Sequence, residues 1–240
     1  GTADAIKQAR QSIAALIGAN PDEIVFTSCG TESSNTALRT GVRADPKRSH
    51  VIMSSVEHPA NLSYGEVLEA EGHRVTYLPV GADGLFDMGE LEAAIEPDTA
   101  MVSMMWANNE TGVIFPISEI GALCRKRGVL FHTDAVQAAG KVPIDVDIGN
   151  VDYLSLTGHK IYAPKGVGVL YVRKGAPFTP VIIGGGQEKD RRGGTLNVAS
   201  IVAMGEAARL VSDGLEAESS RLRGLRDRLE GGIMKDFGTV

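Results

Sequence analysis

Apolar and polar positions alternate along this chain in two ways that follow each other in turn. Short runs rich in Val, Ile, Leu and Phe are typical of strands, and segments with apolar residues three or four positions apart are typical of helices. Strands are predicted at 24–27, 50–56, 73–80, 100–107, 129–132 and 152–156, with a helical segment after each of the first four. This order predicts an α/β fold: a mostly parallel sheet with helices on both faces.

Two further patterns complete this prediction. The run "VGVLYV" follows the strand at 152–156 too closely for a helical crossover, which predicts an antiparallel pairing between the two. The chain opens on an amphipathic helix with Ile6, Ile13, Leu16 and Ile17 on one face. Its C-terminal segment is helical and increasingly charged, and "EAESSRLRGLRDRLE" predicts a long solvated helix.

Composition narrows the function classes. The 240 residues are 43% hydrophobic and 22% charged, as in an ordinary globular protein. The net charge of −6 does not favour nucleic acid or an anionic membrane as a partner. No apolar stretch approaches the ~20 residues of a membrane span. The two cysteines, Cys29 and Cys124, form no CxxC pair, so we predict a reducing cytoplasm and no metal site.

Polar clusters follow five of the predicted strands where each strand ends. They read "SCGTES", "EHPAN", "NNETG", "TDAVQ" and "TGHK". Ligands of open α/β sheets bind outside the carboxyl ends of the strands, so these five clusters predict one site.

The first cluster is a turn of small residues that leads into a helix. Free backbone N–H groups and the positive end of the helix dipole suit a phosphate there, and Thr31 adds a hydroxyl. A plain helix N-cap explains the same residues. The cluster matches neither GxxxxGK[ST] nor GxGxxG, which disfavours nucleotide binding through those loops.

His58 and the Asn108–Asn109 pair each allow two interpretations. His58 is either a satisfied histidine at a strand-to-helix turn or a flat ring against a planar ligand, able to move protons near pH 7. The asparagines either build a turn or donate a hydrogen bond to a ligand oxygen.

Asp134 and Lys160 follow buried strands, where a charged side chain is costly unless another group stabilises it. A buried carboxylate requires a cation or several donors, such as a protonated ring nitrogen, although a structural ion pair remains an alternative. We expect Lys160 to be desolvated, with a lowered pKa that makes it a nucleophile for carbonyl carbon, and Lys165 to be exposed. Gly166 and Gly168 would let the backbone pass close by. A lysine, an acid and a phosphate cup are the parts of a pyridoxal-phosphate site.

Several motifs together resemble those of the cysteine desulfurases, in the class-V branch of the fold-type-I pyridoxal-phosphate enzymes. They are "FTSCGTESSNTAL", "EHPAN", "MMWANNETG", "FHTDAVQAAGKVPIDV", "LSLTGHKIYAPKGVGVLYV" and "RRGGTLNVASIVAMG". The likeness runs from about Ile6 to about Arg209 and is strongest to the nitrogen-fixation type, with the iron–sulfur type close behind. It implies a large domain with a seven-stranded, mostly parallel sheet containing one antiparallel strand.

The resemblance also implies roles around the cofactor ring. Lys160 would hold pyridoxal 5'-phosphate as a Schiff base and move the Cα proton of the substrate. Asp134 would pair with the ring nitrogen, and Gln137 would hydrogen-bond the phenolic oxygen with Asn109 beside it. His58 would stack on the ring and handle protons at the substrate sulfur.

For the phosphate, the resemblance implies Gly30, Thr31, Thr157 and His159 from one chain. Thr195 would reach in from the second subunit of a homodimer, with Arg191 and Arg192 adding positive potential. Thr195 lies in the glycine-rich, charged segment "GGGQEKDRRGGTLN", for which a mobile surface loop is the alternative.

The implied activity is conversion of L-cysteine to L-alanine. The sulfur would be delivered to an iron–sulfur scaffold or another acceptor protein, for iron–sulfur cluster assembly. A selenocysteine lyase, another class-V aminotransferase and a non-catalytic binding module are the alternatives. We expect residues 1–210 to bind the cofactor and 211–240 to form a helix toward a truncated small domain. The persulfide-forming cysteine and the carboxylate-binding arginine would lie beyond Val240, so this chain would hold the cofactor half of the site.

Overall fold

One seven-stranded sheet forms the centre of the computed structural model, which describes residues 1–238. The strands are β1 Ile24–Thr27, β2 His50–Ser54, β3 Arg74–Leu78, β4 Thr99–Ser103, β5 Leu130–Asp134, β6 Tyr153–Thr157 and β7 Gly168–Val172. Their order is β1-β7-β6-β5-β4-β2-β3. Strand β7 runs antiparallel to both of its neighbours, and the other pairings are parallel. The predicted sheet and the antiparallel pairing of β6 with β7 are therefore confirmed.

Three strands, β2, β3 and β4, are shorter than the hydrophobic pattern predicts, and β3 spans Arg74–Leu78 instead of 73–80. β2 ends at Ser54 instead of 56, and β4 ends at Ser103 instead of 107. The apolar run after β4 continues because Met104, Met105 and Trp106 are buried in the core although they lie outside the strand. The hydrophobic pattern indicates which residues are buried, and at this end of the strands the buried residues continue beyond those that pair in the sheet.

Six helices cover the sheet among residues 1–238. They are α1 Thr2–Leu16, α2 Gly30–Ala44, α3 Pro59–Ala70, α4 Met88–Ala94, α5 Ile117–Arg127 and α6 Val198–Phe237, with 3-10 turns at Pro21–Glu23, Gly158–Ile161 and Gln187–Asp190. Two apolar clusters lie on opposite faces of the sheet, since neighbouring strand residues such as Val25 and Phe26 enter different clusters. One cluster contains Leu38 of α2 and Leu68 of α3, and the other contains residues of α1, α4, α5 and α6. Helices on both faces are thus confirmed.

The long helix α6 has a buried first part and an exposed second part. Its residues Ile201, Met204 and Ala208 pack in the core, and Gly205 lies so close to Ala9 of α1 that a side chain would collide with that backbone. The helix continues unbroken past residue 210. The division at 210 and the small domain stay predictions, and residues 239–240 of that predicted segment lie outside the described residues. None of the helices in residues 1–238 combines the length and apolarity needed to cross a bilayer.

Candidate active site

The carboxyl ends of the parallel strands surround an open pocket. Its walls include all the predicted site residues except Thr195: Gly30, Thr31, His58, Asn109, Asp134, Gln137, Thr157, His159 and Lys160. Cys29, Ala60, Met105, Ala107 and Val136 complete the lining. The five polar clusters therefore meet in one place, as the strand order requires.

The N-terminus of α2 forms one end of the pocket. Cys29 is the N-cap, and its Sγ accepts the Glu32 N–H at 3.5 Å. The backbone N–H groups of Gly30 and Thr31 lie in the first turn, where a helix has no acceptor of its own for them. With the positive end of the helix dipole, these groups suit an anion.

Two glycines allow this helix end to dock against the sheet. A Cβ on Gly168 would lie 2.5 Å from the carbonyl carbon of Cys29, and one on Gly30 would lie 3.0 Å from Val136 Cγ2. The predicted close passage of the backbone at Gly168 is confirmed. Gly166 adopts φ +83°, a conformation that glycine takes at no steric cost.

Thr157 and His159 stand beside the helix end. The Thr157 hydroxyl, at the end of β6, lies 3.1 Å from His159 Nδ1. Partial burial, followed by the charges of Lys160 and Lys165, lowers the pKa of His159. A hydroxyl, an imidazole and free amides at one end of a pocket make a donor set for a phosphate.

Asp134 lies at the buried side of the pocket, as the last residue of β5, with 7% of its surface exposed. Within residues 1–238 the only hydrogen bond to its carboxylate comes from the Val136 N–H at 2.9 Å, and no cationic side chain forms an ion pair with it. Burial raises its pKa, and the Val136 N–H and His58 offset this in part. Within the described residues, a structural ion pair therefore does not explain why this carboxylate is buried.

His58 fits both of its interpretations at once. It is the N-cap of α3, with Nδ1 accepting the Ala60 N–H at 3.1 Å, and its ring lines the pocket. Because Nδ1 is an acceptor, a neutral ring carries its proton on Nε2.

The two asparagines divide the roles that the sequence left open. Asn108 builds the turn, since its Oδ1 accepts the N–H groups of Glu110 and Thr111 and its Nδ2 donates to the Val56 carbonyl. Asn109 lines the pocket, with its Nδ2 donating to the Glu110 carboxylate at 2.7 Å.

The expectation of a desolvated Lys160 is wrong for this chain. The residue lies in the 3-10 turn after β6, and its side chain is exposed at the pocket rim. The 3-10 turn at Gly158–Ile161 places Lys160 outside the buried strand, and the local sequence pattern does not predict this turn. Lys165 is exposed, as predicted. Lys141 is the neighbouring amine, and burial together with the charge of Lys160 lowers its pKa.

Thr195 lies apart from the pocket. It is exposed and borders a second cavity with Ser28 and Gly166. Arg192 pairs with Glu32 through two hydrogen bonds of 2.9 and 3.2 Å, so its charge is taken up within its own chain. No cluster of three potential metal-binding side chains occurs in residues 1–238.

Glu57 is a buried acid for which the sequence predicts no role. Its carboxylate accepts from Ser54 Oγ at 2.9 Å, Asn61 Nδ2 at 2.8 Å and the Met105 N–H at 2.7 Å. It thus joins the loop that carries His58 to the loop after β4. Burial raises the pKa of Glu57 to about 7, although the three donors favour the ionised form.

The raised pKa gives Glu57 a pH signature. Below the unfolded-state value the carboxyl is neutral in both states. Between pH 4.5 and about 7 the carboxyl ionises in the unfolded chain but stays protonated in the folded one, so stability falls over this interval by about 3 kcal/mol for a shift of this size. We expect Glu57→Gln to remove this fall when the free energy of unfolding is compared by urea titration at about pH 5 and pH 8. Glu216→Gln, an exposed control on α6, should keep it. Equal pH dependence in both variants would contradict the assignment.

Comparisons with known proteins agree on one family. The aminotransferase class-V model matches residues 1–237. A cysteine desulfurase of Nostoc sp. is 51% identical over 226 residues, which are 94% of this chain and 56% of the relative. The cysteine desulfurase NifS of Azotobacter vinelandii is 51% identical over 231 residues, 96% of this chain and 58% of the relative. A solved NifS-like protein superposes with a TM-score of 0.94 at 38% identity, covering 98% of this chain and 65% of that chain.

The chain spans less than two thirds of each of these relatives.

Proposed function

The chain belongs to the class-V aminotransferase family, and from this premise we propose that it carries the cofactor half of a cysteine desulfurase. The full-length protein would convert L-cysteine to L-alanine and pass the sulfur to an acceptor protein, with an iron–sulfur scaffold as the acceptor we favour. The observation that carries this proposal is the pocket, which combines an anion-binding helix end, a buried carboxylate without a cation and a free lysine at its rim.

Pyridoxal 5'-phosphate is the cofactor that we propose, because each of its polar groups finds a fitting donor or acceptor. The phosphate suits the amides of Gly30 and Thr31 with the Thr157 hydroxyl and the His159 ring. A protonated ring nitrogen would give Asp134 the cation that the described chain does not supply.

The ring's remaining contacts come from polar groups on the pocket walls. Gln137 would donate its side-chain amide to the phenolic oxygen, with Asn109 beside it. Its Oε1 already accepts from Lys141 Nζ at 3.4 Å, which leaves the NH₂ group of Gln137 as the donor. His58 would lie against the ring face.

When bound, the cofactor supplies an aldehyde carbon that condenses with amines and a ring that withdraws electrons from the substrate Cα. Lys160 would hold that carbon and, once displaced by the substrate amine, accept the Cα proton. Its exposed position lets the amine of the substrate reach it from solvent. His58 would exchange a proton at the substrate sulfur through Nε2, since Nδ1 is fixed by the Ala60 N–H.

Neither cysteine of this chain is suited to accept the sulfur. Cys124 is buried in α5, which raises the pKa of its thiol to about 12 and keeps it protonated. Cys29 is half-buried, and its sulfur accepts the Glu32 N–H at the helix end. We therefore assign the persulfide-forming cysteine and the substrate-carboxylate arginine to the remainder of the full-length protein.

We also propose a homodimer in which Thr195 of each subunit donates its hydroxyl to the cofactor phosphate of the other. The exposed position of Thr195 outside its own chain's pocket supports this arrangement. The cytoplasm stays the proposed compartment, consistent with two free cysteines.

Product analysis on the full-length protein tests the activity. With L-cysteine and a thiol reductant, we expect alanine and sulfide in equal amounts. A class-V aminotransferase would instead transfer the amino group to an α-keto acid and leave the sulfur on the carbon skeleton. A selenocysteine lyase would act on selenocysteine and leave cysteine unchanged. Either result would overturn the proposal, as would a protein that binds no cofactor, the behaviour of a non-catalytic module.

A further inference from the structure

Strand β1 lies at one edge of the sheet, and charged side chains close its free edge. The Phe26 N–H donates to Glu188 Oε2 at 2.9 Å. The Ile24 carbonyl accepts from Arg10 Nη1 at 2.5 Å and from Arg191 Nη2 at 3.3 Å. Side chains from α1 and from segment 184–195 thus take the place of a neighbouring strand at this edge.

Glu188 is the buried centre of this arrangement. Its side chain is 1% exposed, and Arg10 grips it with two hydrogen bonds of 2.7 and 3.0 Å. The Arg10 guanidinium in turn lies 4.6 Å from the centroid of the Phe26 ring. Both carboxylate oxygens of Glu188 are therefore satisfied, in a geometry that fixes position more than it adds stability.

The backbone at this point is strained. Glu188, Lys189 and Asp190 have φ values of 50°, 58° and 64°, three consecutive non-glycine residues in the left-handed region. Such residues persist only where their surroundings over-determine the conformation. The buried carboxylate of Glu188 is the contact that holds the first of the three.

Further contacts fix the segment on the way to Thr195. Arg192 is bound to Glu32 in the first turn of α2. The Gly194 N–H donates to Gln187 Oε1 at 3.1 Å, and the Gly193 N–H donates to the Ile182 carbonyl at 2.9 Å. The segment is thus anchored on its own chain while the Thr195 side chain is left exposed.

We propose that Glu188 is a positioning residue for the site of the partner subunit. Its carboxylate docks segment 184–195 on the edge of its own sheet, so that Thr195 meets the cofactor phosphate of the other subunit. This inference rests on the proposed function, in which Thr195 serves the partner. It predicts that a substitution at Glu188 weakens cofactor binding in the pocket of the other subunit.

Cofactor affinity and proteolysis of the full-length protein give two readouts besides activity. We expect Glu188→Gln to weaken the binding of pyridoxal 5'-phosphate to the apo-protein about tenfold, the effect of one hydrogen bond to a charged group. Trypsin should cleave at Arg191 and Arg192 faster in this variant, because the segment is released from the sheet. Lys189→Ala is the matched control for affinity: its ion pair with Asp22 is exposed, and its loss should leave the affinity unchanged.

Mixed dimers separate an effect on the partner from an effect on the same chain. Consider a dimer with Glu188→Gln in one subunit and Lys160→Ala in the other. The first subunit keeps Lys160, and its pocket receives Thr195 from the second subunit, whose segment 184–195 is intact. We expect such dimers to regain about half of the wild-type activity per dimer, although both parent homodimers are defective. A merely structural role of Glu188 would not be rescued in this way. Dimers of Thr195→Ala with Lys160→Ala test in the same way whether Thr195 serves the pocket of the partner subunit.

The outcomes separate the positioning role of Glu188 from the crossing of Thr195. Restoration in both mixed dimers supports the inference. Restoration with Thr195→Ala but not with Glu188→Gln overturns the positioning role and leaves the proposed crossing intact. Restoration in neither removes the crossing and the inference together, while the desulfurase activity is judged by product analysis alone. Wild-type cofactor affinity in the Glu188→Gln homodimer also overturns the inference.

Discussion

Replacing Lys160 with alanine in the full-length protein is expected to abolish alanine formation from L-cysteine while leaving the fold intact. Under the proposed function the variant loses both the amine that would hold the cofactor and the base that would move the Cα proton. A positioned proton-transfer group alone contributes up to about 10⁴-fold, so we expect a loss of at least that size. Because the side chain is exposed, the free energy of unfolding should change by less than about 0.5 kcal/mol.

Lys165→Ala is the control for this experiment. Lys165 is the neighbouring exposed lysine, after Pro164, and it lies outside the pocket lining. This variant should turn over L-cysteine at the wild-type rate. Wild-type activity in Lys160→Ala, or equal losses in both variants, would show that Lys160 is not the reacting amine.

Replacing Asp134 with asparagine is expected to lower turnover and to raise the stability of the apo-protein. The substitution keeps the acceptor for the Val136 N–H but removes the charge that we propose lies opposite the cofactor's ring nitrogen. Leaving a buried cation unpaired costs about 3–5 kcal/mol, which corresponds to a loss of turnover of at least about 100-fold. Burial raises the pKa of Asp134, so its ionised form opposes folding at neutral pH, and asparagine removes that cost.

Asp152→Asn should show the opposite behaviour in stability. Asp152 is also buried, but it pairs with Arg173 Nε at 2.6 Å and accepts the Phe131 N–H at 2.8 Å. Its loss should destabilise the apo-protein, because it leaves the pair broken. Urea unfolding of the two apo-proteins, read beside their turnover, separates the roles. Destabilisation of both, with activity retained in Asp134→Asn, would contradict a cofactor role for Asp134.

The sequence predicted those parts of the site that the sheet order determines. Asp134, His58 and Thr31 were found because parallel strands bring their carboxyl ends to one edge, so a polar residue after each strand belongs to one place. Gly168 was expected to allow a close approach, which the backbone of Cys29 makes. These inferences need only strands that run parallel, which the alternation of strand and helix patterns along the chain predicts.

Features that depend on long-range hydrogen bonds escaped prediction. Glu57 accepts the N–H of Met105, and Glu188 accepts that of Phe26, pairings between segments far apart in sequence that no local pattern encodes. The exposure of Lys160 was missed for a related reason. A 3-10 turn of four residues decides whether that side chain stays in the core, and the composition of "TGHK" does not specify its height above the sheet.

The identity of the lysine that holds the cofactor tests the account most directly. Borohydride converts a lysine–cofactor linkage into a stable secondary amine, and peptide mapping of the reduced full-length protein then locates the label. We predict the label on Lys160, in the peptide after β6. A label on Lys141 or Lys165, or no label on a protein supplied with pyridoxal 5'-phosphate, would contradict the account.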